Sequence, residues 1–273
     1  MRRFLSVLLW SLLAGSQGAR GHDSPSHRIE ALTLRMEVEG PRADSLTDRG
    51  FEYNALGDWS SAVADFEAAL KLSPHSWAAL SGCAEACLQL GRWEQMSSLA
   101  REGISRRGSP AMQAPFYALL AQSLMKQQKW EQALEAWNGA LKSPNPEIDW
   151  YLGLSVTLDH LKEYGLQVKA LAEARKRNPS VVLYRAWLQA LVNAGQFELA
   201  LTEVNRELED ARWKSSWFLL RARIYQGLKN KDAQVHDAKA ALEEILLRFN
   251  PQRPDPQLVM ERNQALTLLG NRY

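Results

Sequence analysis

Cysteine is nearly absent from this chain: Cys83 and Cys87 are the only two among 273 residues. They stand four apart, and two Cβ atoms one helical turn apart lie alongside rather than facing each other, which argues against a disulfide between them. No glycine-rich phosphate loop occurs, and no serine or cysteine sits in a recognisable nucleophile motif with a histidine. There is no low-complexity tract, no basic block and no interleaved basic and aromatic stripe. Nucleic acid rewards many Lys and Arg contacts to phosphate, so it is not an expected partner. The apolar run from Phe4 to Ala14 is broken by Ser6 and Ser11, and is too short to cross the ~30 Å hydrocarbon layer as a helix.

What is present suits an ordinary folded protein. The chain is 46% hydrophobic and 23% charged, with ten Trp, enough to bury a sizeable core. Arg2 and Arg3, the apolar run, and the small residues Gly15, Ser16 and Gly18 read as a secretory signal peptide over 1–18, cut after Gly18 or Ala19. Leu13-Ala14-Gly15 resembles a lipoprotein box, but Ser16 stands where the lipid-bearing Cys must be. The expectation is an exported protein of the periplasm or extracellular space, bacterial envelope first, with no lipid anchor and no transmembrane segment after cleavage. Losing Arg2 and Arg3 leaves 31 basic against 31 acidic residues, close to neutral.

The informative pattern is a repeat. Leu56-Gly57-Asp58-Trp59, Leu90-Gly91-Arg92-Trp93, Gln127-Gln128-Lys129-Trp130, Leu161-Lys162-Glu163-Tyr164 and Ala194-Gly195-Gln196-Phe197 look alike, with aromatic steps of 34, 37, 34 and 33 residues. Three places after each aromatic come Ala62, Met96, Ala133, Gln167 and Ala200; seven after come Phe66, Ala100, Trp137, Leu171 and Val204. Nine before come Gly50, Ala84, Ala121, Ser155 and Leu188. Offsets of three, four and seven mark one face of an α-helix, so the unit is two amphipathic helices joined by a tight turn. Small residues recur where paired helices cross closely, and Pro74 and Pro179 end second helices by removing an N–H and fixing φ.

On these residues the chain resembles the tetratricopeptide repeat family, most closely over 43–76, where Gly50, Tyr53, Gly57, Trp59, Ala62, Phe66, Ala69 and Pro74 all fall in register. The resemblance implies an all-α, right-handed α-solenoid over 43–247. Its units fall near 43–76, 77–113, 114–147, 148–180, 181–213 and 214–247. A flexible tail and capping helix over 19–42 precede it, and a Pro-rich turn and capping helix over 248–273 follow. Strain is expected in the fifth unit, where Leu188 fills a small-residue place. The sixth is expected to strain too: with Ile224, Ala233 and Ala240 in phase, Arg221 and Asp237 displace a small residue and an aromatic.

Candidate chemistry is thin. Cys83 and Cys87 fall on a first helix at places usually filled by core side chains, and a metal or redox pair is the rival reading. His22, Asp23 and His27 near the new N-terminus form a weaker metal candidate, His160 beside Asp159 is expected to face the groove, and Glu243 and Glu244 read as a solvated helix face. Trp59, Trp93, Trp130 and Trp137 are expected in the core. No catalytic residue, metal site or cofactor is assigned, and no enzyme activity is expected.

The resemblance further implies that first helices line a concave groove, whose outward positions include Phe51, Asn54, Glu85, Gln89, Gln122, Lys126, Asp159, Arg185, Gln189 and Asn193. Amides there suit a peptide backbone, offering donor and acceptor together. The family's chaperone-tail receptors use Lys and Asn at set places to hold a terminal carboxylate. Thr47 and Phe51 stand at the first two of those places, so that clamp is not expected. The expected function is an adaptor in the cell envelope binding a protein or peptide segment. A chaperone for many clients, or a metal or redox protein using Cys83 and Cys87, are the alternatives.

Overall fold

The computed structural model describes residues 24–270, so the expected leader at 1–18, and His22 and Asp23, lie outside the described residues. The described residues form fourteen α-helices and no strand. After α1 (Pro25–Glu39) they follow two by two: α2 (Ala43–Leu56) and α3 (Trp59–Leu72), then α4 (Trp77–Gln89) and α5 (Trp93–Ser105). Next come α6 (Pro110–Lys126) and α7 (Trp130–Ala140), then α8 (Ile148–His160) and α9 (Tyr164–Arg177). The order ends with α10 (Val181–Asn193) and α11 (Phe197–Asp210), α12 (Ser215–Gly227) and α13 (Lys231–Arg248), and a single α14 (Pro256–Leu268). The fold is all-α, as the repeat implied. Two compact units meet in sequence between Arg92 and Trp93, the first holding α1 to α4 and the second α5 to α14.

One turn recurs six times. Gly57, Gly91, Gln128, Lys162, Gly195 and Lys229 have left-handed backbone, with φ between 58° and 79°. The next N–H reaches back to the helix it leaves: Asp58 to the Tyr53 carbonyl at 3.0 Å, Lys129 to Leu124 at 2.9 Å, Asn230 to Tyr225 at 2.8 Å. This closure satisfies carbonyls that a helix end leaves unpaired. N-terminal ends are met by side chains: Ser24, Asp58, Ser76, Ser109, Ser180, Asn230 and Asp255 each accept a backbone N–H, each contributing about 1 kcal/mol.

The turn corrects the register of the last pair. Lys231, not Asn230, opens α13 and stands where Trp59 opens α3. Counted from there, Ala222, Ala238 and Ala241, all fully buried, take the places of Gly50, Phe66 and Ala69. Arg221 and Asp237 are therefore not intruders but the counterparts of Arg49 and Asp65. Arg49 donates from Nε and Nη2 to Asp65 at 2.7 and 2.8 Å, and from Nη1 to Thr33 Oγ1 at 2.9 Å. Arg221 does the same to Asp237 at 2.6 and 2.9 Å, and from Nη1 to Asn205 Oδ1 at 2.8 Å. Each arginine ties its hairpin to the preceding helix with a forked pair that matches guanidinium to carboxylate.

Three further expectations need correction. Leu188 causes no looseness: it is fully buried in the core cluster that also holds Val204, a small partner where the first pair has Gly50 against bulky Phe66. Of the four tryptophans expected in the core, only Trp137 is buried, while Trp59, Trp93 and Trp130 are half-buried at helix starts. Glu244 is not on a solvated face, since both its oxygens accept the Lys214 N–H, at 3.0 and 2.9 Å, ahead of α12.

Packing is tight where helices cross. In the first unit Phe66 is fully buried, and a Cβ on Gly50 or Gly82 would come within 2.7 or 2.4 Å of its ring. The last helix repeats the relation that other first helices within a unit have to the pair before them. As α4 packs on α3 and α2, and α12 on α11 and α10, α14 packs on α13 and α12. Its Leu258, Ala265 and Leu268 share a core with Leu219, Ala222, Ala238, Ala241 and Ile245.

Candidate functional site

The outward positions of the first helices behave differently in the two units. In the first unit Phe51 is partly exposed and meets Phe66 edge-on, ring centroids 5.1 Å apart. Asn54 holds a long hydrogen bond, 3.5 Å, from Nδ2 to the Gly82 carbonyl, and its Oδ1 is buried without a partner. Glu85 and Gln89 are exposed on α4. In the second unit Gln122 is half-buried and Lys126 exposed on α6.

Further along the second unit three predicted positions come together. Asn193 Nδ2 donates to Asp159 Oδ1 at 2.7 Å, and Gln189 Nε2 donates to Asn193 Oδ1 at 2.9 Å. Arg223 Nη1 donates to Gln189 Oε1 at 2.5 Å. The result is a one-way relay from a cation through two amides to an anion, crossing the first helices α12, α10 and α8. Each bond polarises the next, and each contributes about 0.5–1.5 kcal/mol net. The order these bonds impose on four long side chains lowers the entropy lost when a ligand meets them. Arg185 stands one turn away on α10, exposed, with its guanidinium 4.7 Å from the Trp217 ring.

Arg223 was not among the sequence-based candidates, because the one-residue error in the last pair hid its place. With Lys231 as the reference, Arg223 is the equivalent of Gln189. Burial pushes its pKa down and the Asp159 charge opposes that shift, while a guanidinium keeps its proton throughout. Beside it, Arg185, Gln189, Arg223, Gln257, Glu261 and Gln264 line a cleft of about 170 Å³. A second cleft of about 600 Å³ continues along α14 past Asn263 and Thr267. Glu261 is buried, accepting from Ser215 Oγ at 2.9 Å and Gln257 Nε2 at 3.0 Å.

The remaining titratable candidates pack rather than converge on a ligand. Cys83 and Cys87 are fully buried free thiols in the first unit's core, and the hydrogen bond with the Cys87 sulfur, together with burial, raises the Cys83 pKa. His160 stacks on Trp130, with centroids 3.8 Å apart and planes 8° apart. Among the described residues no group of three His, Cys, Asp or Glu side chains could hold a metal ion. No described helix is long and apolar enough to cross a membrane.

Models of the tetratricopeptide repeat match residues 53–101 and 119–182, which hold four of the six copies of the turn and the small buried residues at fixed offsets from them. The chain is a tetratricopeptide repeat protein. Its structure resembles a tetratricopeptide repeat protein from Parabacteroides merdae, 14% identical, with a TM-score of 0.56 over 89% of this chain and 92% of that one. It also resembles MamA, residues 41 to the end, from Desulfovibrio magneticus, 19% identical, with a TM-score of 0.53 over 65% and 94% of the two chains. At these identities the likeness is one of fold alone. No curated protein sequence matches the chain.

Proposed function

We propose that this tetratricopeptide protein is a non-catalytic scaffold that holds a segment of a partner protein on the first-helix face of its second unit, and that it works in the cell envelope. The tetratricopeptide fold suggests a protein–protein interaction scaffold. The observation that carries the site is the relay Arg223–Gln189–Asn193–Asp159, an ordered polar row over three successive first helices. Amide side chains in such a row meet the donors and acceptors of an extended backbone or of a helix's polar side. The envelope setting rests on Arg2, Arg3 and the apolar run to Ala14, and sequencing the N-terminus of the mature protein checks it. An uncut chain would remove that part of the reading.

The binding role is tested by placing a photo-crosslinking residue at Gln122, Gln189 or Gln264, one at a time, in cells. One discrete protein captured from Gln189, absent when the crosslinker replaces the exposed Glu173 on α9, supports an adaptor. Capture of many unrelated chains would make the protein a general chaperone. Capture only from Glu173 would remove the first-helix face from the account.

A further inference from the structure

We propose that the cleft where α14 meets α10 and α12 is an acid-recognition subsite, in which Arg185 and Arg223 take a carboxylate side chain from the partner segment; this deepens the scaffold reading and rests on it. Other half-buried guanidiniums of this chain rest on aromatic rings or on an acid: Arg175 lies over Tyr184 and Trp187, and Arg262 over Phe249. Arg49 and Arg221 each hold a forked carboxylate, and Arg248 has Glu244 at 3.4 Å. Arg223 is as enclosed as these, yet its one hydrogen bond runs to a neutral amide, and among the described residues no carboxylate lies within 4.0 Å of it. A partly desolvated cation that feels Asp159 only at a distance, with no acid in contact, is costly, and an arriving carboxylate recovers that cost. Arg185 likewise has an aromatic ring under it and no acidic partner, which leaves its fork open toward the same cleft.

The acid already in the cleft does not fill this role. Glu261 is bound at both oxygens by Ser215 and Gln257 and lies beyond ion-pair distance from either arginine. Two arginines against one engaged carboxylate leave the cleft positive. Its remaining walls are the amides Gln189, Gln257 and Gln264 with Ser216, and the apolar Leu219, Leu220 and Met260, none of which sets a ligand's charge. The row of polar side chains also runs on in both directions, to Asn193 and Asp159 on one side and to Asn263 and Thr267 on the other. A chain therefore passes through the cleft, which makes the ligand an acidic side chain within a segment rather than a chain terminus. On this account α14 is more than a cover for the last core. It stands as the lone first helix of a further repeat, and supplies one wall of the subsite.

The test is fluorescence anisotropy with the full mature chain and labelled peptides, capped at both ends, whose common apolar framework carries Glu, Gln or Lys at its variable positions. The Glu peptide is expected to bind most tightly. Arg223→Gln and Arg185→Gln should each weaken it about tenfold, the scale of one lost charge-assisted partner, and weaken the Gln peptide much less. Arg253→Gln, exposed in the loop before α14, should alter neither. If Arg223→Gln lowers the melting temperature, Arg185→Gln, exposed and outside the core, carries the comparison. Equal binding of the Glu and Gln peptides, indifference to both substitutions, or binding only by an uncapped Gln peptide with a free terminus would overturn the subsite. Any of these results leaves the scaffold reading standing if Gln189 still captures a discrete protein in cells.

Discussion

At the scale of single residues the stability of this chain turns on a few strained or buried groups. Gln128, Lys162 and Lys229 adopt the left-handed conformation that Gly57, Gly91 and Gly195 adopt freely. A side chain there costs about 1–2 kcal/mol, partly offset by the freedom a glycine gains when unfolded. Lys229→Gly should therefore stabilise the protein by about 0.5–1 kcal/mol in urea denaturation followed by circular dichroism; a loss of stability would show the turn to be something else. Asp237 is almost wholly buried and bound to Arg221. Asp237→Ala leaves that guanidinium without its partner and should cost about 3 kcal/mol, with Asp65→Ala similar. Glu173→Ala, which breaks an exposed pair with Lys176, should change nothing measurable. These clamps were legible in principle, since Arg49 and Asp65 are spaced sixteen apart, as are Arg221 and Asp237. The reading missed them because it followed aromatics, and Lys231 replaces the aromatic that marks the other turns.

At the scale of helices, the alternation of small and bulky residues was the signal that survived into structure. Gly50 packs against Phe66, whereas Leu188 shares a core cluster with the smaller Val204 and Ala222 and Ala238 take the same two places in the last pair, so bulk is distributed differently in each pair. Burial of Ala62, Met96, Ala133 and Ala200 followed directly from their common offset. Gln167 shares that offset and is buried too, but it turns its amide to the Ser155 carbonyl and hydroxyl, both at 3.0 Å. That pairing needs two helices in view at once, which a linear pattern does not supply. Gly153 is a sharper case, for a Cβ there would lie 2.2 Å from the Trp137 ring. Gly153→Ala should destabilise by about 1–3 kcal/mol through overpacking despite its better helix propensity; a stabilised variant would mean that α7 and α8 move apart easily. Removing residues 251–273 strips Leu258, Ala265 and Leu268 from their core. The melting temperature should fall, with the loss felt first in α12 and α13 by hydrogen exchange. An unchanged melting temperature would leave α14 with a binding role alone.

At the scale of the whole chain, repetition made the fold readable and left the site hard to see. Core positions recur at each offset and reinforce one another, whereas a recognition surface is what the repeats do not share. Asp159, Gln189 and Asn193 could be named from their places on the first helices, yet their mutual bonds could not, and Arg223 was hidden by the shifted register. The lone final helix adds residues to that surface which no repeat pattern assigns. The central claim is that a partner is held on the first-helix face of the second unit. Titration calorimetry of the protein captured from Gln189 tests it most directly, comparing Asp159→Ala/Gln189→Ala/Asn193→Ala with Glu173→Ala/Lys176→Ala, whose positions are exposed on α9. The account predicts at least a roughly tenfold loss of affinity in the first chain and none in the second. Full affinity in the first chain, with the loss appearing in the second, would contradict it.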